Sequence, residues 1–156
     1  MKLYETNEIR NIALLGHIGS GKTTLSEAML VISGTKEKMG NTLNGTTSSD
    51  YHKEEKEKHF SIRLSPLTME YQGHKYNILD YPGYEDFKGD IYSSIDIIDG
   101  AVLVIDGSSG IELGTINSWK LLEDNNIPRI IFINKMNKGF INYKKLLEEL
   151  KEKFGK

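Results

Sequence analysis

Gly16-His17-Ile18-Gly19-Ser20-Gly21-Lys22-Thr23-Thr24 is the stretch on which the reading of this chain turns. It matches the phosphate-loop pattern G-x-x-x-x-G-K-[ST]. Glycines let the backbone bend tightly, so that successive N–H groups face inward on the oxygens of a polyphosphate. At this spacing Lys22 reaches the β- and γ-phosphates, and the Thr23 hydroxyl can ligate Mg²⁺. Upstream, Ile9 to Leu15 reads as a strand running into the loop; downstream, Leu25, Ala28, Met29 and Ile32 keep helical spacing. Strand, loop and helix in that order form the setting the motif requires, because the helix N-terminus adds its own field to an anion site. All nine residues from Gly16 to Thr24 are therefore candidate nucleotide contacts.

The rest of the composition narrows the class. With 156 residues the chain is expected to form one domain. Its 20 basic and 22 acidic side chains give a net charge of −2, which supplies no electrostatic reason for a large nucleic-acid footprint. No cysteine is present, so disulfides and thiolate metal sites are excluded. The four histidines, His17, His52, His59 and His74, lack metal-ligand spacing, and His17 is expected to serve loop packing. Met1 to Thr6 lacks the apolar core of a signal peptide, and the longest apolar run, Ala101 to Ile105, is far short of a bilayer span. The expectation is a cytoplasmic protein with no membrane partner.

Short β-rich runs alternate with helical patterns, which predicts an α/β fold with a mostly parallel sheet. Ile62 to Tyr71 and Lys75 to Leu79 flank Gln72-Gly73-His74 and read as a hairpin. Ile91, Ile95 and Ile98 mark a second helix, Ala101 to Ile105 a buried strand, and Ile111 to Asn125 a third helix that carries Trp119 toward the core. Arg129 to Ile133 is the next strand. Tyr143, Leu146, Leu147, Leu150 and Phe154 step as one amphipathic helix. Ser33 to Phe60 is polar and holds no convincing strand, a length of connection that is usually functional or mobile. Within it, Lys53 to Lys58 reads as a solvated helical turn.

Two further loops fall at the sheet edge that carries the phosphate loop, since ligands in open parallel sheets bind beyond the carboxyl ends of the strands. Asp80-Tyr81-Pro82-Gly83 follows the strand ending at Leu79. There a carboxylate can hold a water on Mg²⁺, and the Gly83 N–H can donate to a γ-phosphate. Asn134-Lys135-Met136-Asn137 follows the next strand and can bracket a purine. Asn134 would tie the loops together, the Lys135 stem would cover a ring face, and Asn137 would meet the base edge.

Taken in order, these motifs resemble the nucleotide domain of translational GTPases, nearest the elongation factor G group and its paralogues, and they are also similar to tetracycline-resistance ribosome-protection proteins. The likeness runs from about Glu8 to Phe154. It includes Ile9-Arg10-Asn11-Ile12-Ala13, Gly45 to Tyr51, Gly83 to Phe87, Asp106-Gly107 and Phe132-Ile133-Asn134-Lys135-Met136. The resemblance implies a three-layer P-loop NTPase fold that binds GTP or GDP with Mg²⁺, hydrolyses GTP and acts on the ribosome in translation. Its two mobile segments would be ordered by the γ-phosphate. It further implies Thr23, Ser61 and Asp80 around the metal, with Asp80 and Gly83 opening the second switch. Lys22, Gly83 and Tyr84 are the candidate catalytic residues. In the family one more strand and helix complete the domain, so residues 1–156 are expected to be a C-terminally truncated fragment of a larger multidomain factor. Arg129 to Ile133 would then lie at an uncovered edge, which invites self-association.

Three departures from the family pattern bear on activity. Tyr84 stands where elongation factors usually carry His; a phenol of pKa near 10 is a poor proton acceptor, so slow intrinsic hydrolysis is expected. Asn137 stands where the family has Asp. A carboxylate accepts both N1–H and N2–H of guanine, whereas an amide accepts one and turns its own N–H₂ toward the other. Losing a charge-assisted bond costs about 1.5–3 kcal/mol, roughly 10- to 150-fold in affinity. The amide suits xanthine better, so weaker guanine selectivity is expected. Gly19 replaces an Asp that most relatives carry, leaving the backbone cradle intact. A nucleotide-dependent binding module with negligible hydrolysis is the alternative reading. A nucleotide kinase fits poorly, because no Arg-rich lid is recognisable.

Overall fold

A computed structural model gives the fold and describes residues 2–42, 44–49, 61, 63–83, 89–139 and 141–155. The elements run β1 (Ile9–Leu15), α1 (Lys22–Ile32), β2 (Ser65–Tyr71), β3 (His74–Asp80), α2 (Gly89–Ser94), β4 (Gly100–Asp106), α3 (Leu113–Asp124), β5 (Arg129–Asn134) and α4 (Tyr143–Phe154). Short 3₁₀ turns cover Thr6–Glu8 and Ile95–Ile97. The five strands are ordered β2-β3-β1-β4-β5, and every pairing is parallel except β2 with β3.

Strand β1 takes the centre because both of its faces are apolar: Ala13 and Leu14, on opposite sides, are each 0% exposed. Alternate side chains divide the core in two. Ala13, Leu15, Leu79, Leu103 and Ile105 pack with Ile91, Leu122, Leu146 and Leu150 from α2, α3 and α4. Leu14, Ile78, Val102 and Val104 face Leu25 and Met29 of α1. Helices therefore cover both faces, and the expected three-layer α/β architecture is present.

Element boundaries shift for identifiable reasons. The hairpin turn is Gln72-Gly73, with φ of +47° and +84°, a two-residue connection whose twist suits antiparallel strands. Strand β2 begins at Ser65; Arg63 and Leu64 precede the ladder, Ile62 lies outside the described residues, and Ser61 Oγ lies 3.2 Å from Thr23 Oγ1 of α1. The second helix ends at Ser94 and tightens into the 3₁₀ turn before Ile98. There Asn11 anchors the chain to β1: its N–H donates to Asp99 Oδ2 at 2.7 Å and its amide to Ile97 O at 2.8 Å. Glu112 remains extended, so α3 starts at Leu113. The amphipathic C-terminal helix spans the expected residues; Asn142 caps it by accepting from Lys145 N at 3.1 Å. Trp119 is half-buried and stacks on Phe154 with centroids 4.4 Å apart, while the Arg129 guanidinium lies 4.0 Å from its ring. The charged run Lys53 to Lys58 lies outside the described residues.

Candidate functional site

The three motif loops leave the C-terminal ends of β1, β3 and β5 and meet at one edge of the sheet. In the first, the backbone is left-handed at Gly16, Gly19 and Gly21, with φ of +140°, +72° and +99°. At two of these positions a side chain would also collide with a neighbour, with backbone at Gly16 and with the Asn134 side chain at Gly21. A Cβ on Gly16 would lie 2.2 Å from Val104 O, and one on Gly21 would lie 2.2 Å from Asn134 Nδ2. Gly19 differs, since a Cβ there would meet nothing within 4 Å. Lys22 is 6% exposed, and its ammonium donates to Gly16 O and His17 O, both at 3.1 Å. Burial lowers its pKa to about 8, against the raising effect of the Asp80 carboxylate. His17 packs the loop onto α3: Gly114 N–H donates to its Nδ1 at 3.3 Å and its Nε2 lies 3.5 Å from Glu112. Thr24 is exposed on α1.

The second loop brings Asp80 to the same place. Thr23 Oγ1 donates to Asp80 Oδ2 at 2.9 Å and lies 3.2 Å from Ser61 Oγ. Ser26 Oγ adds a contact to Asp80 Oδ2 at 3.4 Å. Two hydroxyls and a carboxylate form a hard, all-oxygen donor set of the kind Mg²⁺ prefers. The two distances from Thr23 Oγ1, 2.9 Å to Asp80 Oδ2 and 3.2 Å to Ser61 Oγ, are close to the roughly 3 Å between neighbouring ligands of an octahedral ion. The residues present therefore fit the ion. Gly83 closes the cradle: a Cβ there would come within 2.7 Å of Lys22 Nζ and of Ile18 N. Only a glycine lets the chain pass this close to the ammonium. Tyr84 lies outside the described residues, as do Asp50 and Tyr51 and the stretch from Glu85 to Phe87.

The third loop is tied to the first. Asn134 Nδ2 donates to Ser20 O at 2.9 Å while its Oδ1 accepts from Lys135 N at 2.8 Å. The Lys135 ammonium bonds Gly19 O and pairs with Asp106 Oδ2 at 2.6 Å. Asn137 lies exposed in the turn that follows. Asp106 is a site member that the sequence reading assigned no role. It ends β4 in register with Asn134 and also accepts from the Ser108 N–H at 2.9 Å. Desolvation raises its pKa, but the Lys135 ammonium and Ser108 outweigh this and hold it at about 2. Its signals in the sequence were its place in the family likeness and its position, a carboxylate closing an apolar strand at the ligand edge. Glu27 was missed altogether. It is 0% exposed, one turn beyond Thr23 on α1, and accepts from Lys36 Nζ at 2.6 Å, Gly40 N at 2.6 Å and Ser48 N at 2.5 Å.

Among the described residues no helix is long and apolar enough to cross a membrane. Comparison with known proteins agrees with the geometry. The family model described as the elongation factor Tu GTP binding domain matches residues 7–156. Elongation factor G of Granulibacter bethesdensis is 37% identical over 146 residues, 94% of this chain and 21% of that protein. Mitochondrial ribosome-releasing factor 2 of Drosophila ananassae is 38% identical over 148 residues, 95% of this chain and 20% of that protein. A crystal structure from Thermus thermophilus superimposes with a TM-score of 0.90 at 38% identity, covering 95% of this chain and 22% of that one. The chain thus spans about a fifth of the length of these relatives. With a match over nearly its whole length, it belongs to the elongation factor Tu GTP-binding domain family.

Proposed function

We propose that this chain is a GTP-binding, GTP-hydrolysing switch domain of elongation factor G type, working on the ribosome in translation. The observation that carries the reading is the convergence of Lys22, Thr23, Ser61, Asp80 and Gly83 at the mouth of the glycine loop. Residues Gly16 to Thr24 wrap the phosphates with backbone N–H groups. Lys22 gives up its carbonyl partners for phosphate oxygens and neutralises charge that grows as the phosphoryl group transfers. Thr23, Ser61 and Asp80 hold Mg²⁺, which supplies positive charge against the β- and γ-phosphates. Gly83 donates its N–H to the γ-phosphate. Tyr84 orients water and accepts protons poorly, so turnover without the ribosome is slow. Asn134 fixes the loops, Lys135 covers the base and Asn137 meets its edge.

Tyr84 favours a second reading, a nucleotide-dependent binding module with negligible hydrolysis. Phosphate release measured with and without ribosomes separates the two: stimulation supports the first, and no release under either condition supports the second. Base preference is tested by titration with GTP, xanthosine triphosphate and ATP. We expect GTP to bind about 10-fold or more weakly than it does to an Asn137→Asp variant, with xanthosine triphosphate competing effectively. Binding of ATP alone, or nucleotide retention unchanged by Lys22→Ala, would overturn the whole assignment.

A further inference from the structure

Glu27 is a buried carboxylate with no part in the phosphate or base contacts, yet it gathers three donors from one distant stretch of chain. Lys36 Nζ reaches its Oε2 at 2.6 Å and bonds Ser48 Oγ at 2.9 Å. Gly40 N–H donates to Oε2 at 2.6 Å, and Ser48 N–H to Oε1 at 2.5 Å. Burial opposes ionisation, but Lys36 and the Ser48 and Gly40 amides more than offset it and hold the Glu27 pKa below its usual value. The segment is built around the contact: a Cβ on Gly40 would fall 2.6 Å from Glu27 Oε2 and 2.5 Å from Thr46 O.

The fastening continues toward the metal-side hydroxyls. Ser65 Oγ donates to Ser49 O at 2.7 Å, so the residue after Ser48 is clipped to the start of β2. Ser61 lies four residues before that clip and contacts Thr23. Thr23 and Glu27 are one helical turn apart, on the same side of α1. One face of one helix therefore grips both ends of this connection.

We propose that Glu27 is a positioning residue: it latches Lys36 to Ser48 onto α1 and, through Ser49 and Ser65, sets where Ser61 stands relative to Thr23. This rests on the reading of Thr23, Ser61 and Asp80 as the Mg²⁺–triphosphate side of a GTP site. Its consequence is that Glu27 discriminates triphosphate from diphosphate without touching either. A triphosphate needs Ser61 in place, whereas a diphosphate relies on the glycine loop.

The test compares the full chain with Glu27→Gln and Gly40→Ala, the second disturbing the latch from a surface loop without altering the buried side chain. Amide hydrogen exchange without nucleotide is read first. The Gly40 and Ser48 amides should exchange about 10-fold faster or more in both variants, with β1 and β4 amides unchanged. Equilibrium titration with Mg²⁺ and GTP or GDP is read second. The GTP-to-GDP affinity ratio should fall by about fivefold or more in both variants. Unchanged exchange at Gly40 and Ser48 overturns the latch. Faster exchange with an unaltered ratio overturns its role in positioning Ser61. If the parent chain binds neither nucleotide, the GTP-site reading fails on its own and the positioning role fails with it, while the exchange data still decide the latch.

Discussion

Asp106 shows how a single carboxylate can serve two loops. It pairs with Lys135, whose stem follows Asn134, and its own chain continues into the Gly107 turn, where Gly107 N–H bonds Asn134 O at 2.8 Å. Its pKa is depressed from 3.8 to about 2 in the folded protein. An acid with a lowered folded pKa adds stability above its unfolded value and loses it as pH falls through the folded one. The contribution should therefore be intact at neutral pH and disappear between about pH 4 and 2. Thermal melts of the parent and Asp106→Asn across pH 7 to 2 check this. The gap between the two melting temperatures should narrow over that acid window, and a gap constant to pH 2 would contradict it. At this scale the sequence was legible where chemistry is local. Lys22, Thr23 and Asn134 sit within motifs whose spacing alone marks them as candidates, and the fold brings them to one edge. The contacts of Asp106 and Glu27 were not legible, because the partners lie 29 residues away in one case and 9 to 21 in the other. Choosing those partners requires the sheet register and the path of a loop without a repeating pattern.

Among the elements, the strands and the C-terminal helix were read most closely. Period-two and period-3.6 patterns survive unchanged when one face meets a core. The second helix was read too long, because an isoleucine spacing of four and three cannot register Asn11 pulling Asp99 and Ile97 into line with β1. Helix α4 depends on packing rather than on propensity alone: Leu146 and Leu150, each 5% exposed, meet the α3 side of the core, and Phe154 stacks on Trp119. Replacing Leu150 with alanine should cost about 2–5 kcal/mol in urea unfolding. Loss of the ring contact should shift Trp119 fluorescence to longer wavelength in Phe154→Ala. A Leu150→Ala variant unfolding within about 0.5 kcal/mol of the parent, a surface-like value, would show that α4 contributes little to the fold.

Over the whole molecule, the sheet is asymmetric. Its β2 edge is the outer strand of a hairpin, whereas β5 at the other edge presents Ile130 at 65% and Phe132 at 39% exposure. Exposed apolar edge strands pair with other strands. Sedimentation equilibrium is expected to show concentration-dependent self-association, suppressed in Phe132→Lys; a parent that remains monomeric at high concentration removes the edge as an interface. The carboxyl-terminal rim of the same sheet has a different lesson. Gly19 has open space where a side chain would go, and Asn137 projects into solvent beyond β5. Neither supports the layers beneath it. Exposed Asn137 is therefore free to drift without loosening the fold, whereas at Gly19 the room for a side chain is offset by a left-handed backbone, φ +72°, that only glycine adopts without strain.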